Sequence, residues 1–117
     1  MKEFVFNECN ICVNPNKVEG QVKRYDWQIE TAYTEGKWVF GFIFGTPTSG
    51  WGCGASKKYG TQYDSEHDAI EAGAKAGIHF FEREQKGGMN IPTQIFQQLK
   101  ELCGKPKPVQ LVLEGFS

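Results

Sequence analysis

Few residues in this chain are placed to do chemistry. Cys9-Asn10-Ile11-Cys12 is the only cysteine pair at metal-ligand spacing, and a structural zinc ion asks for four such ligands in a closed tetrahedral shell. Cys53 and Cys103 would have to complete that shell, but each stands alone, and no glycine follows Cys12 to shape a knuckle turn. Asn14-Pro15 just downstream argues against the helix start of a thioredoxin-type dithiol. The expectation is free thiols and no metal or other cofactor. His67 and Glu71 lie four apart, with Asp64 nearby, so a helix would place two ligands on one turn. No histidine cluster finishes a catalytic site from them, and His79 sits between Lys75 and Arg83, one turn away on either side. Without a nucleophile and base that the sequence brings together, the chain reads as a binding protein rather than an enzyme.

The remaining candidate is Gly50-Trp51-Gly52-Cys53-Gly54. Its spacing is not GxGxxG and no Lys-Ser or Lys-Thr pair follows, so it is not a phosphate cradle. It reads as a connection that exposes Trp51, and Trp51 with Lys57, Lys58 and Tyr59 forms the candidate contact surface, because tryptophan is enriched where proteins bind one another. The alternative is that Trp51 folds back to cap an aromatic core.

Charge and size set the frame for these candidates. The chain has 117 residues, close to the commonest length of one domain, and its nine Phe, three Trp and four Tyr are enough to build a core without staples. Its net charge of −1 lacks the bulk positive field by which most nucleic-acid binders attract phosphate, so such binding would need a local patch. The start, Met1 to Glu8, has no apolar signal region and no long apolar run occurs elsewhere, which gives a cytoplasmic expectation with no membrane partner and reduced cysteines.

The elements that must position Trp51 are legible in part. Tyr25, Trp27, Ile29, Thr31 and Tyr33 alternate with polar residues at period two, and after Glu35-Gly36 a second alternating run covers Trp38 to Phe44. A two-residue turn fixes the register, opposing Tyr33 to Trp38, Thr31 to Phe40, Ile29 to Phe42 and Trp27 to Phe44 on one face. Residues 45 to 60, rich in Gly, Ser and Thr, read as a loop leading to a short third strand. Ser65 with Asp68 resembles a capping box and opens a helix reaching about Gln85, whose Gly73, Ala74, Ala76 and Gly77 suit close packing on aromatic rings. Ile91, Ile95, Leu99 and Leu102 space a second helix between Pro92 and Gly104. Lys105-Pro106-Lys107-Pro108 ends it, and Val109 to Glu114 alternates as a last strand that offers an edge for a homodimer. Residues 1 to 24 predict one strand and a long loop, with Phe4-Val5-Phe6 and Ile11-Cys12-Val13 as strand fragments.

The expected fold is α+β in one domain: a mainly antiparallel sheet of four or five strands against one long helix, with a short helix near the C-terminus. The order of hairpin, third strand and helix, with Gly60-Thr61-Gln62-Tyr63-Asp64-Ser65-Glu66-His67-Asp68-Ala69 leading into the helix, resembles HicB-type antitoxins and AP2-type DNA-binding domains over residues 25 to 85. Element order and a capped acidic helix start carry that likeness, and it assigns no site residue. The expected function is that of a small regulatory or inhibitory protein of the adaptor, antitoxin or phage-accessory kind, acting on a macromolecule, a protein before a nucleic acid. The alternative is nucleic-acid binding through the Gly/Trp/Lys segment.

Overall fold

A computed structural model describes residues 3–56 and 61–104 of the chain. The hairpin forms as its pattern requires. Strands β2 (Tyr25–Thr34) and β3 (Lys37–Gly45) meet across Glu35 and Gly36, which take φ of 54° and 82°, the left-handed pair of a type I′ turn whose twist matches that of the strands. The register follows: Tyr33 opposes Trp38, Thr31 opposes Phe40, Ile29 opposes Phe42 and Trp27 opposes Phe44. Strands β1 (Asn16–Val22) and β4 (Gly50–Cys53) flank the hairpin, giving a four-stranded antiparallel sheet in the order β1-β2-β3-β4.

One face of this sheet is covered by helices α1 (Glu66–Lys86) and α2 (Thr93–Leu102). Ser65 caps α1 by accepting the Asp68 N–H at 3.1 Å, and the acidic first turn suits the positive end of the helix dipole. Helix and sheet approach closely because α1 presents no side chain where the sheet presents large ones. A Cβ at Gly73 would stand 2.7 Å from Ile29 Cγ2, and one at Gly77 would stand 2.9 Å from Phe44 Cε1. Phe44, Phe81, Ile29, Ile95 and Leu99 are consequently all buried between the layers.

The opposite face carries a second, smaller core at the turn end, where Cys12 packs with Ala32, Val39 and Ala55, and Phe4 and Phe6 lie against it. The chain after β4 reaches this core by crossing behind Gly41, whose Cβ would fall 2.3 Å from the Ala55 nitrogen. It is then held there by the Cys12 N–H donating to the Ala55 carbonyl at 2.8 Å and by an antiparallel bridge between Ile11 and Ser56.

Two details of the sequence reading change. The N-terminal strand lies at Asn16–Val22, in the stretch its Asn and Gly residues appeared to break. Phe6 and Cys12, from the two expected fragments, form only an isolated bridge. Gly20 is tolerated because Trp27 and Gln98 fill the place of its missing side chain, the would-be Cβ lying 2.5 Å from both Trp27 Nε1 and Gln98 Oε1. The short strand after the hairpin likewise lies inside the supposed loop, at Gly50–Cys53. The expected last strand, Val109 to Glu114, and the dimer edge built on it fall outside the described residues. Among the described residues no helix is long and apolar enough to cross a membrane.

Candidate functional site

Trp51 is held on an edge strand rather than a loose connection. In β4, glycines at 50 and 52 alternate with Trp51 and Cys53. The two side chains therefore share the face of their partners Phe44 and Phe42, and the other face of the strand is bare. The Trp51 ring meets Phe42 edge-on at a centroid distance of 4.7 Å and stacks at 6.3 Å on Phe80 of α1, yet 52% of the residue remains exposed. One side of the ring packs on the core and the other faces outward. Lys57, Lys58 and Tyr59 lie outside the described residues.

Beside β4 the sheet edge opens into a cavity of about 380 Å³. Phe40, Phe42, Cys53, Tyr63 and Ile11 are among the residues that line it. Phe40 and Tyr63 stand 6.0 Å apart, ring to ring. Among the described residues no lining side chain carries a charge. Cys53 is an exposed residue, and partial desolvation of its thiol raises the pKa from the ordinary value.

The other chemistry-bearing residues do not converge here. Cys9 is exposed, whereas Cys12 is buried and places its Sγ 3.4 Å from Asn14 Oδ1. Among the described residues no three His, Cys, Asp or Glu side chains come together as a metal shell. Glu66, in the first turn of α1, accepts from Thr31 Oγ1 at 2.7 Å and Asn16 Nδ2 at 2.9 Å, a bond set that ties the helix start to the sheet. Asp64 pairs with Lys37, which holds its carboxyl below the usual range and the lysine above its own.

No family model matches the chain, and neither a curated protein nor a solved structure matches it. The site is therefore read from its own geometry.

Sequence reasoning singled out Trp51 but missed Phe40, Cys53, Tyr63 and Ile11 as one constellation. The available signal was the run Gly-Trp-Gly-Cys-Gly, which is a period-two strand pattern with glycine on one face. Tyr63 had no such signal, because it joins the sheet by a single bridge to Trp38.

Proposed function

We propose that this chain is a small regulatory or inhibitory binding protein that acts by holding another protein at the β4 edge. The observation that carries the reading is Trp51, a large ring left half outside on an uncharged edge strand. Exposed edges are ordinarily blunted by charge, proline or cover, because their unpaired backbone groups recruit other chains, and β4 carries no charge or proline to do so. A tryptophan braced on one side loses little conformational freedom when its other side is covered, which is what makes such residues anchors. The nucleic-acid alternative rests on Lys57 and Lys58, outside the described residues, and it serves as the opposing arm of the test.

The test begins with capture from the native host, identification of the retained species by mass spectrometry, and titration of the purified partner. Trp51→Ala should weaken that complex by about 2 kcal/mol or more, as loss of an interface anchor does. Unfolding stability should fall by no more than about 2 kcal/mol, since only half of the ring is buried. A complex unchanged by the substitution sinks the reading. So does retention of nucleic acid alone, with an affinity whose salt slope drops by about one to two units when Lys57 and Lys58 are replaced by alanine.

A further inference from the structure

Among the described residues, one rung on the outer side of strand β3 has no partner. The Trp38 N–H donates to the Tyr63 carbonyl and the Tyr63 N–H donates to the Trp38 carbonyl, both at 2.8 Å. Alternate residues of a strand turn their N–H and C=O to the same side, so Trp38, Phe40 and Phe42 all direct these groups toward the β4 edge. Phe42 is met there by Cys53, and Trp38 by Tyr63. Phe40, between them, pairs among the described residues only with Thr31 on the other side of β3. Among the described residues no backbone hydrogen bond reaches the Phe40 N–H or C=O from the open side. After Cys53 the chain crosses behind Gly41, and Tyr63 is bridged to the same edge at Trp38. The cavity between Cys53 and Tyr63 is this gap.

We propose that the gap receives one residue of an extended segment of the partner protein, bearing an uncharged apolar side chain. Its N–H and C=O complete the ladder at Phe40, and its side chain enters the space between Phe40, Phe42, Cys53 and Tyr63. The rung specifies the backbone, because an open strand position asks for a donor and an acceptor from one residue, as in peptide recognition by strand addition. The described lining specifies the side chain, since a charged group placed there would lose its hydration and meet no counter-charge among those residues. The volume lies at the lower end of the range of about 300–1,000 Å³ found for ligand pockets. This inference rests on the reading of the chain as a protein-binding protein and names the part of the partner that is gripped.

The experiment uses the full ¹⁵N-labelled chain and capped amino acids as minimal probes. N-acetyl-L-phenylalanine amide, which carries both backbone groups and a ring, should shift the amide resonances of Phe40, Cys53 and Tyr63 saturably. At ten times its dissociation constant it should slow hydrogen exchange at the Phe40 N–H about tenfold. N-acetyl-L-aspartic acid amide should leave these resonances in place. Cys53→Trp, which fills the cavity from β4, should abolish the response in a chain that retains its dispersed spectrum, and Thr61→Trp serves the same purpose should the first variant not fold. The proposal is overturned if the phenylalanine probe moves none of the three resonances, if a folded cavity-filled variant still responds, or if toluene gives the same shifts with the same affinity. The last result would mean an apolar hole in which the rung plays no part. Failure here and failure of the broader reading are separable: a partner lost on Trp51→Ala without any probe response removes this site alone, and a probe response without a protein partner removes the broader reading alone.

Discussion

The two edges of the sheet are built to opposite specifications. At β1, Lys17 and Glu19 put charge on the strand, Val18 and Val22 pack against the main core, and α2 lies close enough that Gly20 has no room for a side chain. The Trp27 indole N–H donates to Gln98 Oε1 at 2.8 Å, so even the polar atom of that ring is satisfied from α2. At β4 there is no charge, and the only aromatic ring is half outside. Folding accounts for the residues at β1, each of which is covered, bonded or charged. At β4 the fold needs the inner side of Trp51 and the bare face of the glycines, and it leaves the outer side of that ring and the rung at Phe40 unexplained. The contrast is why function is assigned to one edge and not the other.

The comparison can be broken at several depths. The largest expected effect lies in the interior that both edges share: Phe44→Ala removes a fully buried ring packed against Phe80 and Phe81, and should cost about 3–5 kcal/mol in denaturant unfolding. A loss below about 1 kcal/mol would mean that helices and sheet do not meet as described. Gly20→Ala comes next. A methyl group there collides with Trp27 and Gln98 and should cost about 1–3 kcal/mol through overpacking, and a neutral result would show that α2 does not close the β1 edge. The smallest effect concerns the thiol on β4. Because burial raises the Cys53 pKa in the folded chain, the unfolded chain ionises first as pH rises past the ordinary thiol value of about 8.5. Its contribution to stability is thus present below that pH and lost above it. Iodoacetamide at pH 8 should modify Cys53 more slowly in the native chain than in urea, as followed by peptide mapping, and equal rates would mean that folding does not raise the pKa of this exposed thiol.

The parts of this fold that were legible are those in which several local signals agree. The β2–β3 register follows from the coincidence of a two-residue turn with matched apolar alternation, and α1 from a serine cap followed by acidic residues and a small-residue stripe. Both missed placements have a glycine at the same point in the pattern. In β1 and β4, Gly20, Gly50 and Gly52 occupy strand positions where a neighbour supplies the missing bulk or the face is bare, so the period-two signal is blanked although the backbone is extended. The site was legible only as Trp51. Phe40 and Phe42 read as core, which they also are, and nothing in a linear pattern announces that no described residue stands opposite Phe40 on the β4 side. An empty rung is a property of where the chain goes after Gly54, and that depends on Gly41 letting it cross and on Ile11 and Cys12 receiving it.

The crossing behind Gly41 also orders the assembly of the molecule in time. The β2–β3 hairpin closes over two residues and needs little loop entropy, whereas the seam of Ile11 with Ser56 and of Cys12 with Ala55 joins pieces on either side of the whole hairpin. Such a seam is expected to form late and, with a small core beneath it, to be among the first parts to open in native-state fluctuations. Ile11 is also a wall of the cavity. The cavity is therefore complete only while the seam is shut, and whatever occupies it against Ile11 draws on the same equilibrium that fastens the N-terminal segment to the rest of the chain.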